Sequence, residues 1–79
     1  MSWHEFTLVL TSEPGEADAD RLYESFDDGT ISTIAGVSQI DFHREAESLE
    51  KAIRSAISEI EAAGLDVARL EMLADALPT

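Results

Sequence analysis

The chain has 79 residues and no cysteine, so it makes one domain at most and carries neither a disulfide framework nor a thiolate metal site. Seventeen acidic residues stand against five basic ones, a formal net charge of −12 at pH 7. That field repels phosphate backbones and anionic lipid, which argues against direct nucleic-acid or membrane binding, and it speeds encounter with a basic protein.

A hydrophobic content of 44% argues against wholesale disorder. A domain this small buries only roughly 60–65% of its unfolded surface, so dimerisation is a natural supplement to its core. The N-terminal Met1 to Leu10 has no basic leader region, and no apolar run approaches the roughly 20 residues needed to span a bilayer. The expectation is a soluble, cytoplasmic single domain over residues 1–79.

Trp3 to Thr11 reads as a first strand, in which Phe6, Leu8 and Leu10 alternate with Glu5, Thr7, Val9 and Thr11. Val9 makes the second face partly apolar, as in a central strand. Pro14-Gly15 breaks the strand. Glu16 to Phe26 reads as a short helix with Ala19, Leu22, Tyr23 and Phe26 on one face, Asp18 as N-cap, and Gly29 ending it with a positive φ.

Thr30 to Val37 reads as a second strand, joined through Gly36-Val37-Ser38-Gln39 to a third over Gln39 to Arg44; a bulge at Gly36 within one longer ribbon is the alternative. Ser48 to Ala63 is the main helix. Ser48 caps it, and Leu49, Ala52, Ile53, Ala56, Ile57 and Ile60 form its apolar stripe. Glu50, Arg54, Ser55, Ser58, Glu59 and Glu61 are left for solvent. Gly64 followed by Leu65 predicts a Schellman ending. Asp66 to Met72 is a last strand, and Leu73 to Thr79 a frayed tail or an edge extension.

The order β-α-β-β-α-β predicts an α+β fold, the ferredoxin-like split βαβ: a four-stranded antiparallel sheet with two helices on one face. The first and third strands are central neighbours in it, and the last strand lies beside the first. The helices then cover Phe6, Leu8, Leu10, Ile40, Phe42, Ala68, Leu70 and Met72. The opposite face carries Glu5, Thr7, Val9, Asp41, His43, Glu45, Arg69 and Glu71, and it is the expected interaction surface.

The stretch Asp41-Phe42-His43-Arg44-Glu45-Ala46-Glu47-Ser48-Leu49 is followed by Ala52-Ile53 and Ser55-Ala56-Ile57. Together with Asp27-Asp28-Gly29-Thr30, Gly36-Val37 and Val67-Ala68-Arg69-Leu70-Glu71, it resembles the N-terminal domain of small uncharacterised bacterial, largely actinobacterial, helix-turn-helix proteins. Those proteins carry a D-F-x-R-E-A-x-S-L-x-x-A-I-x-S-A-I segment, and the resemblance covers nearly the whole chain. It departs at the end, where only Leu73-Ala74-Asp75-Ala76-Leu77 follows the last strand and a helix-turn-helix has no room. The resemblance implies a standalone sensor, dimerisation or partner-binding domain and no activity.

Asp41, His43 and Glu45, with Glu5 or Glu71, have the residue types for a metal or for acid–base work, but two histidines without ligand spacing are better read as a solvated polar face. Arg44 shares the helix-facing side with Phe42. A structural ion pair there, with Glu47 or an acid of the first helix, is favoured over anion binding. Asp18-Ala19-Asp20 and Asp27-Asp28-Gly29 lack the calcium-loop pattern and read as helix capping. Ser12, Ser32 and Ser38 have no nucleophile-elbow setting. Trp3 and His4 read equally as a partner anchor and as a stray at the edge of the core.

No catalytic, cofactor or metal residue is assigned. The expected function is a non-enzymatic interaction or dimerisation domain whose partner is a protein of basic character or a second copy. An antitoxin or immunity-type protein neutralising a basic toxin is one alternative. A small-ligand binder or enzyme using the open face around His43 and Arg69 is the other. The fold itself hosts all three.

Overall fold

A computed structural model of the chain describes residues 2–72, and the expected tail at 73–79 lies outside the described residues. The elements are β1 (Ser2–Leu10), α1 (Glu16–Ser25), β2 (Gly29–Ile34), β3 (Val37–Ala46), α2 (Leu49–Ala62) and β4 (Val67–Glu71). All strand pairs are antiparallel and the sheet order is β2-β3-β1-β4, the ferredoxin-like arrangement with β1 and β3 central and β4 beside β1. Among the described residues no helix is long and apolar enough to cross a membrane.

Both helices cover one face of the sheet. Phe6, Leu8, Leu10, Ile40 and Phe42 from the strands join Leu22 on α1, Phe26 at its end, and Ala52, Ala56 and Ile60 on α2 in a single buried cluster. Leu8, Leu22, Ile40 and Ile60 are fully buried, worth roughly 1.5–3 kcal/mol each in transfer free energy. The alanines of α2 bring that helix close to the sheet, while Leu49, Ile53 and Ile57 flank the contact half-buried.

The main helix ends as its sequence predicts. The Ser48 hydroxyl accepts from the Lys51 N–H at 3.2 Å. At the other end Gly64 has φ 90°, its N–H donates to the Glu61 carbonyl at 3.0 Å, and the Leu65 N–H donates to the Ile60 carbonyl at 3.2 Å. Leu65 then turns back into the core. This is the Schellman pair of hydrogen bonds with its apolar contact.

Three details in the first half of the chain differ from expectation. Gly15, not Asp18, is the N-cap of α1; Asp18 sits a turn in and accepts from the Gly15 N–H at 3.3 Å. Tyr23 is half-exposed rather than in the core, and its hydroxyl accepts from the Ile31 N–H at 3.3 Å. Gly29 has no positive φ but opens β2, where an added Cβ would meet Phe26 Cε1 at 2.7 Å and both Ile40 and Phe42 at 3.0 Å. Its job is to let β2 approach three core side chains.

The hairpin turn is Ala35-Gly36, with φ 53° and 80°, between the paired Ile34 and Val37. Positive φ at both positions is the two-residue type I′ geometry that matches strand twist. The third strand is therefore longer at both ends than its alternation indicates.

The remaining difference lies in β4. Leu8 pairs Leu70 and Val9 pairs Arg69, but Leu10 pairs Val67, leaving Ala68 as the extra residue of a β-bulge. The bulge turns Val67 toward the core and leaves Ala68 exposed. Leu70 faces the helix side on an edge strand and stays 41% exposed, while Met72 packs against the core.

Candidate functional site

Arg44 is the most heavily engaged polar side chain. Its Nε donates to Asp28 Oδ2 at 2.6 Å and its Nη2 to Asp28 Oδ1 at 2.8 Å, a bidentate fork. Nη2 also donates to Glu59 Oε2 at 2.7 Å, and Nη1 donates to Ser55 Oγ at 2.9 Å. The guanidinium lies 5.0 Å from the centre of the Phe42 ring.

One side chain thus ties β3 to the α1–β2 connection and to α2. The fork from Arg44 holds the Asp28 carboxyl below its ordinary value of 3.8, against burial, which raises it. The Arg44 pKa is raised, first by its hydrogen bond to Asp28, with burial opposing. With two carboxylates already on it, the guanidinium is not available to a bound anion. Glu47 is not a partner of Arg44, since its carboxylate pairs with Lys51.

In the sequence Gly29 reads as the end of α1, and Ser55 and Glu59 as solvent residues of α2, so none of the three points to Arg44 until the segments meet.

The open face follows from register. Trp3 pairs Glu45, Glu5 pairs His43, Thr7 pairs Asp41 and Val9 pairs Gln39, all pointing away from the helices. Glu71 lies beside Thr7 and Arg69 beside Val9 on β4. The seven residues singled out in the sequence (Glu5, Thr7, Asp41, His43, Glu45, Arg69 and Glu71) therefore share this side of the sheet. Four carboxylates stand there against one guanidinium, and that guanidinium is 3.2 Å from Glu71.

Within the face, the Thr7 hydroxyl donates to Asp41 Oδ1 at 2.6 Å. His43 Nε2 lies 3.9 Å from Glu5 Oε1, and the His43 ring sits 4.8 Å from the Trp3 ring at 54°. A concavity of about 890 Å³ spans the middle of the sheet, bordered by Glu5, Thr7, Thr30, Gln39, Asp41 and Glu71. Among the described residues no group of three or more His, Asp or Glu side chains is placed to hold a metal ion.

Apolar side chains mark two ends of this face. Trp3 is 61% exposed at one end; Ile34 and Val37, paired at the hairpin turn, are exposed at the other. The exposure of Ile34 and Val37 follows from the two-residue turn, which sets their side. His4 lies on the helix side opposite Arg44 in register, and its buried Nε2 has no hydrogen-bond partner among the described residues.

Compared with known proteins, the chain matches no family, no curated protein and no solved structure.

Proposed function

We propose that the protein is a non-enzymatic interaction module of the cytoplasm whose open sheet face binds a basic segment of another protein. One observation carries this reading: four carboxylates lie on the sheet face that the helices leave uncovered, and three of them, Glu5, Asp41 and Glu71, border a concavity of about 890 Å³. The other face is committed to the core. Exposed charge pairs on such a rim contribute roughly 0.2–1 kcal/mol each, so the field works mainly through association rate and choice of partner.

Neutralisation of a basic toxin is the sharper form of the same reading. A homodimer through this face is the weaker one, because it sets like charges against each other.

The test begins with capture of a partner from native extract and proceeds to calorimetry with the purified pair. Asp41→Lys combined with Glu71→Lys should weaken binding by about tenfold or more, and the loss should shrink as salt rises. If this variant binds as the unmodified chain does, the open face is the wrong surface. A clean monomer by light scattering at micromolar concentration removes the dimer reading.

A further inference from the structure

Resting on the reading of the open face as an acidic docking surface, we propose that its Trp3 end is the anchor point for one arginine side chain of the partner. Trp3 adds little to the core, since the residue is 61% exposed. What it does present is a flat π-face bordered by acids. Glu45 is its register partner across the β1–β3 ladder, and Glu5, two residues along β1, meets His43, whose ring in turn lies against the indole.

A smaller cavity of about 300 Å³ adjoins the central concavity here, bounded by Trp3, His4, Glu5, His43, Leu49 and Met72. It is a third of the size of the central concavity and suits a side chain better than a length of backbone. His4 bounds this cavity from the helix side of β1, while Trp3, Glu5 and His43 bound it from the open face.

These features select arginine over lysine. A guanidinium is planar and weakly hydrated, stacks on an indole, and directs N–H donors in its own plane toward carboxylates. An ammonium has no such plane. Negative charge at Glu5 and Glu45 favours either cation, whereas the aromatic face favours the guanidinium.

The test uses the full chain and three synthetic peptides, acetylated (Gly-Arg)₄ amide with its lysine and citrulline counterparts. The chain contains a single tryptophan, so its fluorescence reports on the proposed anchor alone. The arginine peptide should give a saturable change and bind more tightly than the lysine peptide by about threefold or more, with the uncharged citrulline peptide weakest. By calorimetry Trp3→Ala should weaken the arginine peptide by about three- to thirtyfold, with Trp3→Phe in between. Trp3 is exposed, so both variants should keep the circular dichroism spectrum of the unmodified chain.

If the arginine peptide binds and Asp41→Lys weakens it, but Trp3→Ala does not or lysine binds as well, the anchor is refuted while the acidic face stands. If neither cationic peptide binds at low ionic strength, both the anchor and the acidic-face reading fail.

Discussion

Replacing Arg44 with methionine should destabilise the fold by about 2–3 kcal/mol. Methionine keeps an unbranched side chain and removes the guanidinium, with its donors to Asp28, Glu59 and Ser55 and its place over the Phe42 ring. Asp28 and Glu59, which both accept from Nη2, are then left facing each other without it. Breaking a fully buried pair this way costs roughly 3–5 kcal/mol. Here the Arg44 side chain is only 10% exposed, but its partners are 25% and 33% exposed, so water solvates part of the stranded charge and the cost falls to the lower figure.

For a domain of this size, with about 5 kcal/mol in hand, that is half the stability and a melting temperature lower by about 10–20 °C. Urea unfolding followed by circular dichroism at neutral pH measures it; the exposed Trp3 is a poor reporter of the core. Adding Asp28→Asn to the Arg44→Met chain should recover part of the loss, because the stranded charge is what costs most. A change under about 0.5 kcal/mol for Arg44→Met would refute the view that this side chain staples the three elements.

The Asp28–Arg44 fork also sets an acid limit. The Asp28 pKa is depressed in the folded state, so its contribution is fully present above the ordinary 3.8 and is lost as pH falls through the lower folded value. In urea midpoints taken across acidic pH, Asp28→Asn should show a shallower fall in that window than the unmodified chain. Gly29→Ala should cost about 1–3 kcal/mol through overpacking against Phe26, Ile40 and Phe42, measured by thermal unfolding; an unchanged melting temperature would mean that β2 shifts freely. Ala35→Asn should instead stabilise, by about 0.5–1 kcal/mol, because asparagine tolerates the left-handed conformation that Ala35 holds at φ 53° and favours a type I′ turn before Gly36. A rise in the urea midpoint at unchanged slope would check it.

Much of the fold is legible because its signals are local. The stripe on α2, the Ser48 cap and the Gly64-Leu65 ending each depend on residues within two turns of one another. The alternation in β1 and β3 likewise assigns each residue to a face. Given the element order, topology then follows from the few ways two βαβ-like halves can share a sheet. The seven polar residues of the open face were readable for the same reason, since period-2 alternation carries across every strand once the neighbours are known.

Signals that depend on a second segment were not legible. Glu59 reads as a solvent residue on α2 until β3 brings Arg44 against it, 15 positions away in sequence. The bulge that turns Val67 inward in place of Ala68 arises where β4 meets β1, and no pattern within β4 marks it. Gly29 looks like a helix terminator until Phe26, Ile40 and Phe42 close around it.

The amino-acid sequence by itself determines the elements, their faces and the negative field, because hydrophobic period, capping and charge belong to neighbouring residues. Only the tertiary structure decides which carboxylates are consumed in holding the fold, at Asp28 and Glu59, and which stay on the open face around Trp3. That division depends on which segments meet across the core, where a charge must find its partner or lose its hydration.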